Sequence, residues 1–203
     1  MSELIKIEVN ERDIKWAQKK LKGMESKAPR VLKNAINHTA KKARKSLLQG
    51  AQRRYTVKNA GFNSRIKIYN ATNTRLSASV YARDRTLTLP RFHTTSPKSG
   101  VRSEVLKGSG LKEVISRRGS AEGGGENDGA IRAFRAKGGK AAGLIVQRRT
   151  AARYPLKVLR SISVPKMLEM VYLGRGGISE ALEPEIKRTF RDEVKKEIAK
   201  IVK

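Results

Sequence analysis

The sequence predicts an α+β fold: a mostly antiparallel sheet or partial barrel flanked by a long N-terminal helix and a C-terminal amphipathic helix. Three observations carry that expectation. Apolar residues recur at three- and four-residue spacing from Leu32 to Leu47, and every four residues from Ile178 to Ile198, the period of a helix with one buried stripe. Between them, from Ile66 to Ile162, the period shortens to two, as in strands with one buried face. The 203 residues, 38% hydrophobic and 32% charged, suffice to bury a core, here expected as a single domain over 1–203.

At the start, Ile5, Ile7 and Val9 alternate with Lys6 and Glu8 as a short strand. Asn10 reads as an N-cap, with Glu11 and Asp13 in the first helical turn, where acids favour the positive helix end. Ile14, Trp16, Ala17 and Leu21 form the apolar side of this helix, which ends near Gly23. Trp16, the only tryptophan, is expected to anchor packing. Pro29 suits the first turn of the next helix, which should run from Pro29 to about Arg54. Leu32, Ile36, Thr39, Ala40, Ala43 and Leu47 form its apolar stripe, opposite Arg30, Lys33, Asn37, Lys41, Arg44 and Lys45. Small residues such as Ala35, Ala40, Ala43 and Ala51 permit close packing.

Ile66 and Ile68, then Leu76, Ala78, Val80 and Ala82, read as two antiparallel strands joined across 70–74. Leu87 and Leu89 begin a third, stopped by Pro90. Shorter strands are expected around Val101 and Val105 and around Leu111, Val114 and Ile115. The stretch 119–129 (GSAEGGGENDG) is too polar and glycine-rich to pack and reads as a flexible, solvent-facing loop. Residues 131–136, 143–147 and 156–162 complete the sheet. Pro165 opens a short helix to Tyr172, closed by a turn at 174–177. The last helix carries Ile178, Leu182, Ile186, Phe190, Val194 and Ile198, with Pro184 in its first turn or just before its main run.

The charge is placed rather than spread. Fourteen lysines and arginines lie between Glu25 and Asp84 with no acid among them, and ten lie from Gly129 to Leu168, again with none. These two windows hold +24 of the formal net +28. Unpaired like charges repel when a chain compacts, so such windows imply a polyanion or an acidic protein surface nearby.

Several chemistries find no support. Without cysteine there is neither a disulfide scaffold nor a thiolate metal site. His38 and His93 lack the clustered ligands of a metal centre, and no Ser-His-Asp set presents itself. GSG at 108–110 and GGGENDG at 123–129 lack the Lys and Ser/Thr of a phosphate-binding loop and read as turns. No enzyme and no cofactor are expected. The opening MSELIKIEVNERD is not expected to be a signal peptide, and no stretch approaches the roughly eighteen apolar residues of a membrane span. Zinc-finger spacing, a helix-turn-helix and an aromatic RNA-stacking signature are missing too. What remains is contact with phosphates or acidic protein, which positions without reading sequence.

Several segments occur together in an order with a precedent. AINHTAKKA (35–43), LTLPRF (87–92), GVRSEV (100–105), AIRAFRA (130–136), GLIVQRR (143–149), YPLKVL (154–159) and SISVPKM (161–167) follow one another along the chain. This ordered set resembles phage minor tail protein Z, a tail-completion family, over about 34–170. Ser161 and Ile162 stand where the family often has Gly-Pro, and Gln147 replaces an aromatic. The resemblance implies a virion protein of a tailed phage or prophage at the head-proximal end of the tail, assembled in the host cytoplasm. It also implies a homo-oligomer, expected as a ring of six around the DNA channel, touching tail terminator, tail tube or connector proteins.

Six copies of +28 amount to about 170 positive charges. A ring roughly 40 Å thick encloses only about 24 phosphates of a DNA duplex. Most of the excess is therefore expected to face acidic partner surfaces, with a smaller share contacting phosphates of double-stranded DNA. The candidate contact residues are Arg30, Lys33, Lys41, Arg44, Lys45, Arg53 and Arg54 in the first window, and Arg148, Arg149 and Arg153 in the second. The alternative function is a sequence-independent basic nucleic-acid-binding protein, such as a ribosomal or packaging component.

Overall fold

One long helix sets the layout. In the computed structural model, which describes residues 2–9, 11–21, 23–57, 62–116, 131–148, 154–175 and 181–202, helix α2 runs Ala28–Arg54 with Pro29 in its first turn. The helical stripe is buried as its spacing requires: Leu32, Ile36, Thr39, Ala40 and Leu47 are fully inaccessible, and Ala43 nearly so. Thr39 resolves its hydroxyl locally by donating to the Ala35 carbonyl at 2.8 Å.

The chain divides into two compact units, one built from Met1–Ala51, Gly61–Asp84 and Val164–Lys203, the other from Gln52–Ala60 and Arg85–Ser163. In the first, α2 packs with α1 (Glu11–Leu21), α4 (Val164–Tyr172) and α5 (Glu183–Val202). Ala17, Leu21, Val31, Leu32 and Val194 form its core, with Trp16, Phe190 and Ile198 packed around them, so Trp16 is a packing anchor. Asn10 and Ile178 lie outside the described residues, and α5 starts at Glu183 with Pro184 in its first turn. Gly50 lets α2 approach α4: a Cβ there would sit 2.6 Å from Val171 Cγ1.

A three-stranded antiparallel sheet completes this unit, ordered β1 (Ser2–Glu8), β3 (Ser77–Ala82), β2 (Ile66–Tyr69), with α3 (Phe62–Arg65) leading into β2. Strict alternation places Ala78, Val80 and Ala82 on the buried face. The turn between β2 and β3 is tied to α2 by Asn37, whose Nδ2 donates to the Ala71 carbonyl at 3.1 Å and whose Oδ1 accepts from the Ala71 amide at 2.7 Å.

The second unit is made of short strands: β4 (Thr86–Thr88), β5 (His93–Thr95), β6 (Arg102–Glu104), β7 (Lys112–Glu113), β8 (Ile115–Ser116), β9 (Ile131–Arg132), β10 (Phe134–Arg135), β11 (Ile145–Arg148), β12 (Leu156–Val158) and β13 (Arg160–Ser163). They pair antiparallel as β5-β6-β7, β10-β11-β12, β8-β9 and β13-β4. The α+β class holds, but these strands form separate small sheets and no closed barrel among the described residues. Two to four residues cannot carry a continuous ladder, and Pro90, Pro97 and the positive-φ glycines Gly100 and Gly110 break the backbone between them. Leu89, Val101, Ala133 and Ile145 form the core of this unit. The stretch 119–129 lies outside the described residues.

Candidate functional site

The acid-free first window acquires acids through tertiary structure. Glu193 and Glu197, one helical turn apart on α5, are both only 6% exposed and meet the Asn34–His38–Lys42 line of α2. Lys42 Nζ donates to Glu193 Oε1 at 2.7 Å, and Lys196 approaches the same oxygen at 3.3 Å. His38 Nδ1 lies 3.4 Å from Glu193 and 3.7 Å from Glu197. Asn34 Nδ2 donates to Glu197 Oε2 at 3.1 Å, while Lys200 holds the other oxygen at 2.5 Å. The Lys42 hydrogen bond is the main cause that holds Glu193 below the ordinary carboxylate range, against an opposing effect of burial. At Glu197 burial is the largest influence and pushes upward, but the Lys200 and Asn34 hydrogen bonds outweigh it and the carboxyl is also lowered. Elsewhere in the window, Arg65 lies 3.5 Å from Asp84. The expectation that the lysines and arginines of this window have nothing to pair with is thus corrected for Lys42 and Arg65.

The remaining α2 cations divide by position. Arg30, Lys41 and Lys45 are exposed, within about a third of the helix circumference at roughly 100° per residue. Lys33 and Arg44 are half-buried, and Arg44 has interactions of its own. Asn37, expected on the solvated side, is half-buried instead, because the β2–β3 turn lands on it. Arg53, exposed, and Arg54, half-buried, fall in the last turn of α2, within the second unit. Arg149 and Arg153 lie outside the described residues. Arg148, exposed at the end of β11, places its guanidinium 5.9 Å from the centre of the Phe134 ring.

A second concentration of charge lies in the other unit, at residues the sequence did not mark as candidates. A groove of about 750 Å³ runs between residues 96–101 and the β9–β10 segment. Val101 and Ala133 back it from the core, each only 1% exposed, and Pro97 is an exposed apolar residue of its lining. Its rim carries Lys98, Arg132, Arg135 and Lys137, all exposed, and no acidic residue is among the described residues that line it. Arg132 donates to the Ser99 carbonyl at 3.3 Å, and Arg135 to the Gly143 carbonyl at 3.0 Å, so backbone contacts fix both guanidinium stems. Arg132 also lies 3.8 Å from Glu113, a loose pair with both groups largely in water. Three of the four cations belong to the second acid-free window, and that was the only sign of the groove in the sequence.

His93 meets Glu104 at 3.0 Å, and Glu104 Oε1 also accepts from the Gly108 amide at 2.8 Å and the Gly110 amide at 3.2 Å. The His93 hydrogen bond, first, and these amides hold the Glu104 carboxyl below its ordinary range. The arrangement pins the turn after β6. Among the described residues no cluster of three or more potential ligands is placed to hold a metal ion, and no helix is long and apolar enough to cross a membrane.

No curated protein and no solved structure matches the chain. A family profile does, from residue 12 to residue 203, nearly end to end. By that match the chain belongs to the prophage minor tail protein Z family, and it is a phage minor tail protein.

Proposed function

We propose that this minor tail protein is a structural, non-enzymatic component of the virion that completes the head-proximal end of the tail. In this reading it helps form the head–tail junction around the DNA channel, as a ring of six, with both units serving one tail-completion function. The observation that carries the proposal is the family match over nearly the whole chain, joined to a formal net charge of +28. Its neighbours are then tail terminator, tail tube or connector proteins, and the duplex in the channel takes phosphate contacts.

Arg30, Lys41 and Lys45 are the α2 cations best presented for such contacts, since they are exposed opposite the buried stripe. The test replaces the wild-type gene by Lys41→Glu/Lys45→Glu in the phage that carries it. Infectious titre should fall by more than about tenfold, the loss that about 1.4 kcal/mol of weakened association produces, with heads and tails accumulating unjoined. A titre equal to wild type would remove these residues from the junction. Normal joining with a defect in DNA packaging or delivery would favour the sequence-independent nucleic-acid-binding alternative.

A further inference from the structure

We propose that the groove of the second unit binds an extended acidic segment of a partner protein. Its carboxylates would meet Lys98, Arg132, Arg135 and Lys137, while an apolar side chain between them packs on Pro97. The inference rests on the tail reading only for where the partner comes from; the chemistry stands on the groove itself.

Three features favour this occupant. The charged lining residues are all basic and exposed, with Glu113 only a loose neighbour of Arg132, so a segment of opposite charge gains from pairing with them and is steered toward the groove. Arg132 and Arg135 are anchored by backbone carbonyls, which fixes their planar forks and reduces the entropy lost on pairing with a carboxylate. Pro97, exposed on the lining, offers an apolar contact that suits alternate side chains of an extended peptide, one facing the groove wall and the next facing the rim.

Nucleic acid fits less well. Bases seek free aromatic faces, whereas Phe134, the aromatic side chain at this groove, already has the Arg148 guanidinium 5.9 Å from its centre. Duplex phosphates in a channel are also too few to neutralise the charge of several copies.

The test uses the full-length protein and fluorescence anisotropy. The probe is a labelled peptide of about ten residues with alternating glutamate and valine, extended at about 3.3 Å per residue. Its counterparts are the glutamine–valine peptide, a short single-stranded DNA and a short duplex. The glutamate–valine peptide should bind, with affinity falling as salt rises, and the glutamine peptide should bind at least about tenfold more weakly. Lys98→Glu/Lys137→Glu should cost a similar factor while leaving the circular dichroism melt unchanged. Lys19→Glu/Lys20→Glu, the same charge change at two exposed positions of α1, should leave peptide binding within about twofold.

Equal loss from the two reversals would reduce the effect to bulk charge and overturn the proposal. So would absence of peptide binding, or a DNA affinity that exceeds the peptide's and is the one abolished by Lys98→Glu/Lys137→Glu. Failure here leaves the tail assignment untouched, because that assignment is read in infectious titre with substitutions on α2.

Discussion

Glu193 and Glu197 show how a single side chain changes meaning once the chain folds. In sequence they are two of the acids in a balanced C-terminal segment, ordinary components of the mixed-charge back of α5. In the structure they are nearly covered and receive Lys42, Asn34 and His38 from α2. Both carboxyls are held below their usual 4.5. A depressed carboxylate contributes stability that is complete above its ordinary value and is lost as pH falls through its lowered one. The wild-type melting temperature should therefore drop as pH is lowered from about 5 toward 3, partly on account of this pair. Glu193→Gln/Glu197→Gln should cost roughly 1 kcal/mol at pH 7, modest because Lys42 is half in water, and should flatten the acid limb. Melts of both proteins across that range decide it: curves that stay parallel would mean the pair contributes no pH dependence.

Among the elements, the contact of α2 with α4 depends on one missing side chain. Glycine inside a helix ordinarily costs about 1 kcal/mol relative to alanine. At position 50 that preference should invert, because a new Cβ would lie 2.6 Å from Val171 Cγ1, and valine is stiff at χ1. Gly50→Ala is expected to destabilise by about 1–3 kcal/mol, and the double variant Gly50→Ala/Val171→Ala to recover part of that loss. Denaturant unfolding of the four proteins in the cycle measures the coupling. A Gly50→Ala protein more stable than wild type would show that α4 yields freely. Gly174 is a related case: its φ is +64°, and a Cβ there would meet the Ala181 amide nitrogen at 2.8 Å, so the turn after α4 requires glycine.

At the scale of the whole molecule the charge distribution dominates. A net +28 on 203 residues opposes self-association unless oppositely charged partners are present. The ring proposed for the junction should accordingly form in the particle, while the free protein stays monomeric at low salt. A reconstruction of the assembled tail should count six copies around the axis; a single asymmetric copy would rule the ring out. The exposed α2 cations of the first unit and the groove of the second are each tested by their own substitutions.

The sequence by itself determined the main helices and the strands of the first sheet, though not the helix α3 or the pairing of β1 with β3. The stripe Leu32 to Leu47 fixed which side of α2 is buried, and alternation at Ala78, Val80 and Ala82 fixed the inner face of β3, because period and hydrophobicity are local properties. The ordered motifs also pointed to the family that the chain belongs to. Only the tertiary structure decided which charges are free. Lys42 and Lys41 are neighbours in the same acid-free window, yet one is paired with a residue 151 positions away and the other faces water. It likewise decided that Asn37 holds a turn, and that Lys98 joins Arg132, Arg135 and Lys137 around one groove. Pairing is a matter of distance in space, and a linear count of charges carries no information about which segments the fold will bring within about 4 Å.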